Sequence, residues 1–255
     1  MGLLKNQSDL RALRQAGKIT QTVLAALQAH AQPGIPLIEL ERLANQLLAQ
    51  HRSTAPFKSF NGFNHAICVS INDEIVNGPP SRQRELQAGD LVSIATAAEH
   101  RNIHAKAARS FWVGATPQAD FPDLVGGTAA VIQRVMAAGP SMQTLNALLG
   151  IIPQTAQDFG LSVIAGLGGS GIGKQLHQAP DVPNDPADLN TEIPLTPGLC
   201  FTLMPMFSLG CARFKVSEDG WTFLTEDGSL AAHVADTLLV TEHGLETITG
   251  SPPSE

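Results

Sequence analysis

The sequence predicts an α+β chain built as two pseudo-equivalent halves. Three observations carry that expectation: an order of elements that recurs, helix breaks at equivalent places, and two alternating apolar segments around a polar turn. The first half reads helix, break, helix, strand. Leu10, Leu13, Ile19, Val23 and Leu27 recur at helical spacing over residues 8 to 29, and Gln32-Pro33-Gly34 stops that helix. A second helix opens at Pro36, which a first turn tolerates because the N–H it lacks would have no intrahelical partner there. It carries Leu37, Leu40, Leu43 and Leu47 toward a core. Residues 66–71, apolar and partly β-branched, read as a strand.

The order then repeats. A helix carries Leu124, Val131 and Val135, Gly139-Pro140 breaks it, a helix with Leu145, Leu148 and Leu149 follows, and a strand is expected over residues 161–165. Ala31-Gln32-Pro33-Gly34 and Ala137-Ala138-Gly139-Pro140 sit in equivalent places between paired helices, which points to a duplication. The expected organisation is one domain over residues 1–250, with halves of about 8–114 and 121–241. Residues 251–255, with two prolines, read as a flexible tail.

Within the first half, residues 91–98 and 103–113 flank the polar turn Glu99-His100-Arg101-Asn102, a hairpin by length and composition. Alternation puts His104, Lys106 and Ala108 on one face of the second strand, with Ile103, Ala105 and Ala107 on the other. A turn centred on His100 and Arg101 sets Ala95 opposite Lys106.

Composition excludes several functions. A net charge of −7 with sixteen scattered Lys and Arg gives no electrostatic footprint for nucleic acid, so small-molecule or peptide-like ligands are the expected partners. Cys68, Cys200 and Cys211 are odd in number and lack CxxC spacing, which argues against a disulfide framework or a zinc knuckle and suits a reducing cytoplasm. No apolar run reaches the length of about 18 residues that a membrane span needs. A monomer or homodimer is expected.

Short blocks in a specific order carry a resemblance. Val69-Ser70-Ile71-Asn72 precedes Asn77-Gly78-Pro79-Pro80 and Ala88-Gly89-Asp90-Leu91-Val92. Gly169-Ser170-Gly171-Ile172-Gly173 with His177, then Phe201-Thr202, Pro205-Met206 and Asp219-Gly220-Trp221-Thr222 follow. Over residues 66–114, 166–180, 198–206 and 219–241 the chain resembles the methionine aminopeptidase and creatinase family. The resemblance implies the pita-bread fold, antiparallel sheet covered by helices.

It also implies five positions at which the family binds two divalent metals through two Asp, one His and two Glu. Here those positions are Ala95, Lys106, Ser170, Met204 and Ala235. A hard dinuclear site needs oxygen donors and bridging negative charge, so no metal and no cofactor are expected. Asn61 and Asn77 stand where the family carries histidines, and Met204 takes the place of a general-base glutamate. Phe60, Phe63, Cys68 and Trp221 match positions lining the family's apolar substrate pocket, where Leu176 replaces an aromatic. His177 matches a histidine that approaches the substrate amide, and His104 one that lies two residues before a metal-binding aspartate.

Two readings stand for Lys106: a buried cation that binds a ligand carboxylate or transfers a proton, or a void filler paired with Glu99 or Asp236. For His177 they are acid–base chemistry and a hydrogen-bonded structural imidazole; His104 beside Lys106 either joins that chemistry or fills space. Ser170 lacks the Gly-x-Ser-x-Gly elbow of a nucleophile, since Ile172 ends the run. The glycines from Gly166 satisfy GxGxxG and begin a GxxxxGK, yet Gln175 stands where a phosphate loop needs Ser or Thr, and prolines follow instead of a helix.

The expected function is a metal-independent enzyme acting on a small polar or amide-containing molecule, with His177, Lys106 and His104 in proton transfer. Creatinase supplies the metal-free precedent within the related fold. The alternative is a non-catalytic pseudoenzyme that binds a peptide N-terminus or a metabolite. A metal aminopeptidase with relocated ligands is a third reading, set against acids such as Asp219, Asp227 and Asp236, which miss the five places.

Overall fold

Helix α1 (Gln7–His30) starts where the Asn6 side chain accepts a hydrogen bond from the Asp9 N–H, and its apolar face, Leu13, Ile19, Val23 and Leu27, is wholly buried. The chain is seen in a computed structural model that describes residues 2–114 and 121–250. The expected tail, residues 251–255, lies outside them. Pro36 stands one residue ahead of α2 (Leu37–Gln50) as its cap. Strands β1 (Ile67–Ile71), β3 (Leu91–His100) and β4 (Ile103–Trp112) make one antiparallel sheet in the order β1-β3-β4, while β2 (Glu74–Val76) leaves it to pair elsewhere. Helix α1 packs across β3 and β4, burying Ile19, Val23, Leu27, Leu37 and Leu40 with Val69, Ile94 and Ala107.

The hairpin register corrects one expectation. Ala95 pairs with Ala108 and Lys106 with Ala97, because the turn centres on Arg101 and Asn102 and not on His100 and Arg101. Both turn residues are left-handed, with φ of 52° and 60°, as a tight turn matched to strand twist requires. The slip is two residues, and side chains alternate with period two, so Ala95 and Lys106 still face the same way.

The later chain holds α3 (Leu124–Ala138), capped by Asp123, the short turn Gly139–Ser141, α4 (Leu145–Leu149), capped by Thr144, and α5 (Ile151–Phe159), ended by Gly160 at φ 66°. The strand expected over 161–165 shortens to β5 (Ser162–Val163). Strands β6 (Gly168–Gly171), β7 (Gln178–Pro183), β8 (Cys200–Leu203), β9 (Met206–Ser208), β10 (Phe214–Val216), β11 (Phe223–Thr225), β12 (Ala231–His233), β13 (Asp236–Thr241) and β14 (Gly244–Thr247) follow. They form a five-stranded sheet β14-β13-β8-β6-β7 and two three-stranded ones, β12-β9-β5 and β10-β11-β2. Val131, Val135, Leu145, Leu148 and Ile152 pack on Phe201, Phe207 and Leu238 to close this second core.

The two regions join along a seam. Ala108 and Ala235 exchange both backbone hydrogen bonds at 3.0 Å. Beside them the Thr237 hydroxyl accepts from the Lys106 N–H at 2.9 Å and donates to the Lys106 carbonyl at 2.8 Å, standing in for a neighbouring strand. No helix among the described residues is long and apolar enough to cross a membrane.

Candidate functional site

A cavity of about 390 Å³ opens beside that seam. Its walls come from both regions: Cys68 on β1, Val76 on β2, Ala95 on β3 and Lys106 on β4 from one, Ser170 on β6 and Met206 on β9 from the other. Phe63 and Trp221 meet edge to face at 5.1 Å between ring centroids, and Phe60 is 36% exposed at the rim. Of the residues expected to bind substrate, Phe60, Asn61, Phe63, Cys68, Asn77, Ser170, Met204 and Trp221 all line this space. Leu176 does not; it lines a separate smaller cavity with His104, Glu99 and the other side of Phe60. Phe57, Leu167 and Phe223 line the main cavity and escaped sequence reading, since nothing distinguishes them from core residues until the fold brings them round.

Burial sorts the polar groups. Lys106 is only 5% exposed. Its Nζ donates a long hydrogen bond, 3.4 Å, to His177 Nε2, and among the described residues it enters no ion pair. Burial lowers its pKa from 10.5 to about 8, so the ammonium persists at pH 7. Burial, and secondarily Lys106 itself, pulls His177 from 6.5 to about 4, which leaves a neutral imidazole able to accept at Nε2. His177 also stands edge-on to Phe60, ring centroids 4.4 Å apart. Cys68 is pushed up to about 12 by burial and is an uncharged thiol.

Both expected partners of Lys106 are engaged elsewhere. Asp236 accepts from Arg109 Nη2 at 2.9 Å and from Thr249 Oγ1 at 2.8 Å. Glu99 accepts from Thr54 Oγ1 at 2.6 Å and lies 4.0 Å from His104 Nε2. His104 Nδ1 meets the Gly173 carbonyl at 2.9 Å, a contact that fixes the imidazole away from the main cavity.

Ser170 is 9% exposed and lines the cavity, while its Oγ is buried with no hydrogen-bond partner. The glycines around it are explained by space. A Cβ on Gly169 would sit 1.8 Å from the Thr202 carbonyl oxygen, and one on Gly168 2.4 Å from that of Val182. The run forms β6 between two neighbours and leads into no helix, so it cradles no phosphate. Ala95, Lys106, Ser170 and Met204 line the cavity, whereas Ala235 is buried behind it in the seam. Among the described residues no three His, Cys, Asp or Glu side chains gather as a metal cluster.

Residues 11–242 match the model of metallopeptidase family M24. The chain is similar to the methionine aminopeptidase of Clostridium acetobutylicum, 32% identical over 249 residues that cover 98% of this chain and 99% of that one. It is 34% identical over 254 residues to methionine aminopeptidase 1 of Mycobacterium tuberculosis, covering 96% and 94% respectively. The crystal structure of methionine aminopeptidase from Thermotoga maritima superimposes with a TM-score of 0.92 at 32% identity, covering 98% of this chain and 100% of that one. The pita-bread arrangement is therefore the fold of this chain.

These relatives overturn the expectation of a metal-independent enzyme for small amides, and with it the pseudoenzyme alternative. Relatives aligned along nearly the whole chain are named methionine aminopeptidases, and these support neither expected reading. The expectation went astray by treating five exchanged side chains as a statement about the reaction, when they describe only which donor atoms surround the cavity.

Proposed function

Because this chain belongs to metallopeptidase family M24, we propose that it acts at peptide amino termini, as an aminopeptidase whose cavity receives a first residue with an apolar side chain. The likeness to methionine aminopeptidases along nearly the whole chain carries the reaction class. The walls of Phe63, Cys68 and Trp221 support the side-chain preference, since burying a methionine-sized chain there contributes about 2 kcal/mol. His177, neutral at pH 7, offers an imidazole to exchange a proton or a hydrogen bond with the first peptide bond. Asn61 and Asn77, both in the left-handed region, add amide groups around the same cavity.

In this reading the chain is a divergent member. The side chains around the cavity do not fit a pair of divalent cations: Ala95 and Met204, with Ala235 behind them, offer no hard donor, Ser170 offers a single hydroxyl, and the buried Lys106 ammonium repels further positive charge. The groups of this chain bind, orient and exclude water.

The test is direct. Purified protein incubated with the tripeptide Met-Ala-Ser, without added metal and with manganese or cobalt, should release free methionine measurable by mass spectrometry. Trp221→Ala should raise KM about tenfold through lost apolar contact. Intact tripeptide under every condition overturns the proposal.

A further inference from the structure

We propose that the Lys106 side of the cavity is a carboxylate receptor, built from the Lys106 ammonium and the Ser170 hydroxyl, for a small acid with an apolar chain. The inference goes beyond the peptidase reading and holds whether or not peptides are cleaved.

Lys106 carries unmet hydrogen-bond donors. An ammonium has three N–H groups, and His177 Nε2 takes one. The other cavity groups near it cannot balance the charge: Cys68 is a neutral thiol and His177 a neutral imidazole. The acids on neighbouring elements are already engaged. Asp236 is held by Arg109 and Thr249, Glu99 by Thr54, and Glu41 receives the Ala66 N–H at 3.0 Å from both of its oxygens. A buried cation without a counter-ion is costly, and so is a buried hydroxyl without a partner. Ser170 Oγ is such a hydroxyl, buried in the wall of the same cavity, where rotation about χ1 would bring it to a ligand.

What satisfies these donors together is an acceptor carrying negative charge. A carboxylate has two oxygens and about four lone-pair sites, enough for Lys106 and Ser170 at once. The rest of the lining, Phe63, Met204, Met206 and Trp221 among it, is apolar and suits a hydrocarbon or thioether tail. An alkylamine, whose only charge is positive, meets repulsion at Lys106 with no carboxylate to offset it.

Isothermal titration of the whole chain with hexanoate, hexanamide and hexylamine tests this. Hexanoate should bind, hexanamide at least tenfold more weakly, and hexylamine more weakly still. Lys106→Met should lose at least tenfold in hexanoate affinity, and Ser170→Ala several-fold, with hexanamide binding unchanged in both. Equal binding of acid and amide, preference for the amine, no binding of hexanoate, or unchanged hexanoate affinity in Lys106→Met each overturns the proposal. If Lys106→Met fails to fold, the comparison of acid with amide on the unaltered protein decides. No peptide is present in the titration, so its outcome is independent of the tripeptide assay.

Discussion

Lys106 and Arg109 are buried or half-buried cations three residues apart on one strand, and their surroundings are opposite. An odd spacing on a strand sends the two side chains to different faces. Both terminal nitrogens of Arg109 are engaged: Asp236 at 2.9 Å, the carbonyls of Ala108 and Ala235 at 2.8 and 2.9 Å, and that of Thr249 at 3.3 Å. Lys106 has one neutral imidazole at 3.4 Å. The first cation closes the seam and belongs to stability. The second is held in place by its backbone while its charge is left unanswered, which is the signature of a group awaiting a ligand.

The largest effect separating them should come from Arg109→Ala. It strands Asp236, 3% exposed, without its counter-ion, and thermal or urea unfolding should show a loss of about 3–5 kcal/mol. A loss under about 1 kcal/mol would mean that Arg109 is not the structural partner described.

Lys106→Met should move stability the other way. The Lys106 pKa falls from 10.5 to about 8 on folding, so below pH 8 both states are charged and the penalty is fully present. Between pH 8 and 10.5 the folded state has released a proton that the unfolded chain still holds, so stability should rise with pH, by roughly 3 kcal/mol in all. The variant should be more stable than the parent at pH 7, and the difference should vanish by about pH 10.5. A pH-independent difference in melting would remove the buried cation from the account.

A smaller effect sharpens the same contrast at His177. Its pKa near 4 lies below the ordinary 6.5, so the stability it contributes is present above pH 6.5 and is lost as pH falls through 4. Imidazole NMR shifts should show a neutral ring at pH 6, and Lys106→Met should move the titration upward, because Lys106 is the second cause of the depression. A ring that titrates near 6.5 in the parent would break the pairing.

Much of this was legible from the chain alone where period and punctuation agree. The spacing of Leu13, Ile19, Val23 and Leu27 announces α1, and Gly139-Pro140 announces the end of α3. Strand alternation put Lys106 on the inward face even though the register was two residues out, because parity survives an even slip. Arg101 hid the true turn, since a left-handed arginine is not what a tight turn advertises. The three-residue strands β9 to β12 carry too little pattern to be read. Long-range pairing was not legible either: Asp236 finds Arg109 across 127 residues, and Leu176 and His104 line a second cavity that shares Phe60 with the first.

The Thr237 hydroxyl, which grips both the N–H and the carbonyl of Lys106, has a bearing on how this protein could be taken apart. The residue that carries the unanswered charge is positioned by a strand from the far end of the chain, and the walls facing it arrive from both regions. Neither piece expressed by itself would own a binding site, whatever its residual folding. Ligand capture should instead report reassembly, giving a functional readout for fragment complementation in a protein whose two regions meet along the Ala108–Ala235 seam beside that hydroxyl.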